Sequence, residues 1–351
     1  GRKIENPVQK YCANIDSYYE YADLSTALAQ TLGEGYAIHK QDIFMRKQFE
    51  DGTGDGREFL SSAYFRYFKG RHYTDSVCYL TITQEAKKSR LFSYDGKQLR
   101  DGGVQARFLN KAEASEYVDR YFAMDFKNRI VSMTNFRADE DTVSMGGKRC
   151  KVYSLVDVDY AALPSLIRPY TNIEVNNTEM PVDLVSVIDN IPNADTVVYN
   201  QVIFLPNQKR ELSLLDKKKN RHASIPNPNN QMAVEDISRV QEVIARESKQ
   251  LVYTHFNMVV AVDADTDLQK CTNHLENAFG RMGIHISKHA YNQLELFVGS
   301  FPGNCYALSE EYDRFLTLSD AAMCLMYKER VQHSEETPLK IYYTDRQGVP
   351  V

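Results

Sequence analysis

Cys271, His274, His285 and His289 carry side chains that bind metals, and their spacing, C-x2-H-x10-H-x3-H, faintly resembles a zinc site. A tetrahedral centre needs all four to converge. With "CTNHLENAF" helical and "IHISKH" extended, nothing in the spacing brings the two pairs together, so Cys271 is expected to pack as a small apolar residue and His274 to occupy a helix face. Two acidic stretches invite a calcium reading. "DGTGDGREFLSS" begins with Asp51, Thr53, Asp55 and Gly56 in loop order, but Ser62 stands where the bidentate Glu belongs. "DADTD", residues 263 to 267, alternates carboxylates yet has Leu268 in the glycine position, so Asp265, Thr266 and Asp267 are expected to cap a helix instead. Phosphate chemistry fares no better. "GGVQARFLNK" and "SMGGKRC" lack the GxxxxGK[ST] spacing that wraps phosphates in backbone amides, which leaves Lys148 on a surface hairpin. "GSFPG" at Gly299 to Gly303 lacks the GxSxG elbow. The basic run "LDKKKNRH", with Lys217, Lys218, Lys219 and Arg221, suits phosphate or acidic lipid, or else a solvated turn. No catalytic, cofactor or metal residues are therefore assigned.

The elements that would have to position such groups are legible from periodicity. Residues 17 to 33 place Tyr18, Tyr21, Leu24, Leu28 and Leu32 on one helical stripe ending at Gly33. "YAIHKQDIFMRKQF" reads as extended, "REFLSSAYFRYFKGR" as an aromatic helix, and "DSVCYLTIT" as a strand. Asn110 is expected to cap a helix through "KAEASEYVDRYFAMDF". "MGGKRCKVYSLVDV" gives a turn and a strand, and the Asn- and Pro-rich segment 171 to 195 an exposed excursion. "DTVVYNQVIFLP" is the strongest strand, followed by the basic run with its Pro/Asn tail and the helix "AVEDISRVQEVIARESKQ". The last third alternates strand, helix, extended segment and short helix. These features predict an α+β fold of two α/β layers, with mixed or antiparallel sheets and helices on one face, divided into lobes at 1–145 and 146–351.

Composition narrows the class. The 351 residues, 43% hydrophobic, suffice for one or two cores, and 42 Lys and Arg against 47 Asp and Glu give a net charge of −5, which disfavours a generally cationic DNA-coating surface. No apolar run approaches the roughly 18 residues of a membrane span, and no signal peptide is evident. Cysteines at 12, 78, 150, 271, 305 and 324, without a CxxC, read as reduced thiols of a cytoplasmic protein. The 23 tyrosines beside no Trp find no explanation at this level. The bare Gly1 and the abrupt end at Val351 lead us to expect an excised piece of a longer chain.

Read in order, "HKQDIF", "FKGRHYTDSVCYLTIT", "LPSLIRPY", "YNQVIFLP", "LDKKKNRHAS", "THFNMVVAVDAD", "SFPGNCYALSEEYDRFLTLSDAAMCLMYKE" and "YYTDRQGVPV" resemble the amino-terminal part of the TraG-type ATPases of bacterial conjugative transposons. That family belongs with the large ATPases of type IV secretion. The resemblance extends from about Tyr36 to Val351 and is most specific in "SFPGN" and the acidic-aromatic block after it. It implies that Asp345, Arg346, Gly348, Pro350 and Val351 form the junction to a P-loop ATPase domain absent from this chain. By the same resemblance the parent protein uses ATP and Mg, while this piece is a non-catalytic docking and regulatory domain, cytoplasmic and peripheral at the inner membrane. Implied partners are other subunits of the conjugation machinery, the protein's own ATPase domain and further copies in the full-length protein, with DNA contact left open. Pro302, Gly303 and Asn304, as a turn at a domain seam, and the run Lys217 to Arg221 are the expected interaction surfaces. A metal-dependent enzyme built on the Cys/His group and a single-stranded DNA-binding module, whose tyrosines would stack on bases, are the alternatives.

Overall fold

The structure is a computed structural model that describes residues 2–6, 8–9, 14–50, 59–85, 101, 104–128, 131, 135–155, 163–164, 166–225, 227–287 and 291–330. In chain order its elements are β1 (Arg2–Ile4), β2 (Val8–Gln9), α1 (Ile15–Leu32), β3 (Tyr36–Gln48), α2 (Phe59–Phe68), β4 (His72–Gln84), β5 (Ala106–Phe108) and α3 (Lys111–Ala123). Then come β6 (Phe136–Ala138), β7 (Val143–Met145), β8 (Lys148–Ser154), β9 (Tyr170–Val175), β10 (Thr178–Asp183) and β11 (Thr196–Phe204). The remainder is α4 (Gln208–Ala223), α5 (Pro228–Glu247), β12 (Leu251–Asp263), α6 (Gln269–Arg281), α7 (Gln293–Gly299), β13 (Phe315–Leu318), α8 (Ser319–Cys324) and β14 (Glu329–Arg330).

Nine strands form the path β5-β1-β4-β3-β11-β12-β8-β7-β6, and β13 adds to β12; every pairing in this sheet is antiparallel. The fold is α+β around an antiparallel sheet, and the parallel pair β2–β14 stands apart from it. Strands from both sides of residue 145 share it. Alternation along the central strands sends their side chains to two cores. Ile38, Phe44, Tyr199, Ile203, Phe256 and Val260 meet α1, α6 and α8 on one face. Ile43, Met45, Val198, Val202, Val259 and Ala261 meet α3 and α7 on the other. Helices thus cover both faces rather than the expected one, and this is why β11 is buried along its whole length.

Local chemistry explains the helix ends. Asn14 accepts the Ser17 amide to start α1, and Gly33 ends it at a positive φ of 76 with extended ψ, a backbone open to glycine, its N–H donating to the Ala29 carbonyl. Asn110 and Glu113 form a reciprocal capping box on α3, which Arg107 completes by gripping the Glu113 carboxylate with two bonds of 2.9 and 2.7 Å. Two segments depart from expectation. The basic run is no turn: Asn207 caps it and it continues as the helix α4. Segment 171–195 is only half an excursion. Asn176 and Asn177, both at positive φ, make the two-residue turn of the β9–β10 hairpin, after which Asp183, Val185, Ile188 and Asp189 plunge into the core.

Two glutamines finish strand edges. Beyond the Phe204–Tyr253 pair, the register sets Pro206 opposite Leu251, and proline has no N–H to give. The Gln208 side chain takes over, accepting the Leu251 N–H at 2.9 Å and donating to its carbonyl at 2.8 Å. Gln293 does the same for Val152 on β8, at 2.7 and 3.1 Å.

Candidate functional site

Polar side chains concentrate at the centre of the sheet, one row on each face. Under α3 and α7, strand register aligns Gln41, Asn200 and Asn257 on three adjacent strands. Their amides bond in sequence. Gln41 Nε2 donates to Asn200 Oδ1 at 2.7 Å, Asn200 Nδ2 to Asn257 Oδ1 at 2.8 Å, and Asn257 Nδ2 to Ser300 Oγ at 2.6 Å. Tyr117 closes one end by donating to Gln41 Oε1 at 2.6 Å. The two histidines beside the row have fixed tautomers. His255 Nδ1 faces the carbonyl of Asp313 at 2.6 Å, which can only accept, so the proton sits there and Nε2 accepts from Asn257 at 2.7 Å. His39 Nε2 donates to Asn200 Oδ1 at 3.2 Å. Burial pushes His39 down to about 4 against that bond, and burial likewise lowers His255 against the Asp313 carbonyl.

The opposite face carries charge. Lys40 pairs with Asp42, and both are buried. Burial works against the Lys40 ammonium, but the adjacent carboxylate outweighs it and holds the group above its ordinary value. Gln201 donates to Asp42 Oδ2 at 2.7 Å and accepts the Tyr327 amide at 2.9 Å, while Lys40 donates to the Tyr327 carbonyl at 2.7 Å. This grips the segment before β14. The next residue, Lys328, lies fully buried against Asp183 at 3.4 Å and donates to the carbonyls of Cys324 and Met326. Asp183 accepts the Lys328 amide at 2.6 Å, and Glu329 accepts from Tyr18 at 2.9 Å and from the Asp183 amide at 2.7 Å. Burial raises Asp183 to about 6, with Lys328 opposing.

These rows have the residue types of catalysis without its access. His39, Gln41, Asn200, His255 and Asn257 are at most 1% exposed, and the amide donors run in one direction from Tyr117 to Ser300. Such rows fix strand register, because a slip of one residue would put a neighbour from the opposite face into the row, the charged Lys40 or Asp42 on β3 and the apolar Phe256 or Met258 on β12, and leave amides unpaired. The same logic accounts for the tyrosines. Tyr18, Tyr117, Tyr121, Tyr153, Tyr199 and Tyr327 bury their rings and tie their hydroxyls across elements.

Among the described residues, the groups singled out by spacing do not assemble into a centre. Cys271 is buried on α6 with its thiol against the Pro192 carbonyl, His274 follows one turn later, and His289 lies outside the described residues. Among the described residues, no three His, Cys, Asp or Glu side chains are placed to hold a metal ion. Lys148 is held by Asp195 and Asp263, each at 2.7 Å. Asp267 accepts the Gln269 amide at the start of α6. Asp51, Thr53, Asp55 and Gly56 lie outside the described residues, as do Asp345, Arg346, Gly348, Pro350 and Val351. A groove of about 830 Å³ beside β4 is lined by Lys47, Asp75, Arg107, Glu116 and Arg120 among others, but these five charges pair with one another or with Glu113.

Two surfaces remain. Pro302, Gly303 and Asn304 turn the chain out of α7, with Gly303 at φ 86 and the Asn304 side chain donating to the Val298 carbonyl at 3.0 Å. The turn sits beside Ser300, the last member of the amide row. Lys217, Lys218, Lys219 and Arg221 lie on α4, which packs chiefly against α5. Only Glu211 in α4 and Ile237 in α5 are buried, so the two helices form a solvated hairpin standing off the sheet. Sequence reasoning missed this hairpin as a unit; its signals were Asn207 and Asn227 as caps and Pro228 at the first turn of α5. No protein-family model matches the chain, and no curated protein matches it. Among the described residues, no helix is long and apolar enough to cross a membrane.

Proposed function

We propose that this chain is a non-catalytic docking and regulatory domain of a conjugation ATPase of the TraG type, peripheral at the cytoplasmic face of the inner membrane. The observation that carries the reading is the α4–α5 hairpin. Every reactive row in the described interior is enclosed and internally bonded, whereas the hairpin extends polar and apolar side chains into solvent with little role in the core. A rigid sheet bearing a projecting helical arm suits engagement of other machinery subunits and of the protein's own ATPase domain. ATP and Mg belong to that ATPase domain in this reading, and the chain itself hydrolyses no ATP.

The test is direct. The purified 351-residue chain, incubated with Mg and ATP, should release no phosphate above buffer, and the reading frame after Val351 should encode GxxxxGK[ST]. Turnover that co-elutes with the monodisperse chain, or a frame without that loop, refutes the assignment.

A further inference from the structure

We infer that the tip of the α4–α5 hairpin docks on an anionic phospholipid surface. From Lys217 to Val234 the sequence has four cations, Lys217, Lys218, Lys219 and Arg221, and no carboxylate, within a chain of net charge −5. Lys217, Lys218 and Arg221 are exposed, while Lys219 leans on Gln241 of α5. Two large aliphatic side chains flank the connection between the helices, Ile225 and Met232, each 62% exposed. Arg221 lies within one turn of the end of α4 and Lys217 about 9 Å before it, from the rise of 1.5 Å per residue, so the cations and the two aliphatic side chains line the outer half of the hairpin, where they can meet headgroups and the acyl boundary together.

Two features favour lipid over other polyanions, and a third favours any anionic surface. Not one Tyr or Phe of the chain falls between residues 205 and 250, so the hairpin offers no stacking platform for bases. Three of the four cations are Lys, a hydrated point charge suited to a diffuse anionic field, where paired carboxylates or phosphates in fixed geometry favour Arg. The tip also stands about 20 Å from the start of α4, from the rise of 1.5 Å per residue. That exceeds the Debye length of about 8 Å at physiological salt, so the acidic body is screened from the surface that the tip touches, and the nearest carboxylates are those of the hairpin itself, Asp216, which accepts from Gln241, and Glu235 and Asp236 on α5.

The inference deepens the docking reading by naming one partner, and the two fail separately, since ATP turnover bears on the first and lipid binding on the second. The experiment is co-sedimentation of the full chain with vesicles of phosphatidylcholine containing phosphatidylglycerol, and of phosphatidylcholine alone, at low and high salt. Binding is expected only to the anionic vesicles and to weaken with salt. A triple variant, Lys217→Ala, Lys218→Ala and Arg221→Ala, should bind on the order of 100-fold more weakly, at about fivefold per cation. A second variant, Ile225→Ser with Met232→Ser, should lose about tenfold at unchanged charge. Both change exposed side chains, and far-UV circular dichroism checks their folding. Equal binding to both vesicle types, unchanged binding by the triple variant, or capture of an oligonucleotide by the same cations without vesicle binding would overturn the inference.

Discussion

Replacing His39 with Gln should make the protein less sensitive to acid, by an amount the structure sets. His39 is fully buried and neutral, and an amide in its place can still donate to Asn200 Oδ1. Burial lowers its pKa from 6.5 to about 4. The unfolded chain binds the proton first, so the stability that His39 contributes is complete above pH 6.5 and is lost as pH falls through 4. At 1.36 kcal/mol per unit, the loss between neutrality and pH 4 is about 3 kcal/mol. Asp183 works the other way. Its pKa is raised from 3.8 to about 6, so its contribution is present below 3.8 and disappears as pH rises through 6. The wild-type curve therefore mixes opposing slopes, and His255, also lowered, adds to the acid loss. Subtracting wild type from variant cancels both. Urea unfolding followed by far-UV circular dichroism at about pH 7.5 and pH 4 should show His39→Gln gaining about 3 kcal/mol relative to wild type at the lower pH. A difference that is the same at both pH values would refute the buried, neutral imidazole, whatever its size.

The charged row gives a second expectation. Lys328→Met leaves Asp183 buried without its cation and removes donors to two carbonyls, at a cost of about 3–5 kcal/mol; thermal unfolding no earlier than wild type would show that Lys328 is hydrated. Asn110→Ala breaks one side of an exposed capping box and should cost about 1 kcal/mol in urea unfolding, with little change in folded circular dichroism.

What could be read in advance, and what could not, divides along physical lines. The α1 stripe and the Asn110 cap were legible because both signals are local: periodicity in one case, a side chain three residues from its amide in the other. α4 was hidden because its sides are mostly polar and Glu211 is its only buried residue, which leaves little apolar period to detect. Asn176–Asn177 read as loop composition, although paired Asn is also the chemistry of a tight hairpin turn. The amide row was invisible for a different reason. Gln41, Asn200 and Asn257 each look like the wet side of a strand, and only the pairing of segments more than 50 residues apart, with helices on both faces, makes them interior.

β11 and β12 are direct antiparallel neighbours at the middle of the sheet, so a short turn would have joined them. Instead the chain leaves the sheet for two helices, the second of them about 30 Å long, before returning. The base of the first is fastened where Gln208 replaces proline's missing donor and where Glu211 meets Tyr253. The arrangement is that of a lever seated on its fulcrum: a load at the tip is delivered to the two innermost strands, bypassing the edges, and reaches the aligned amides that hold those strands in step.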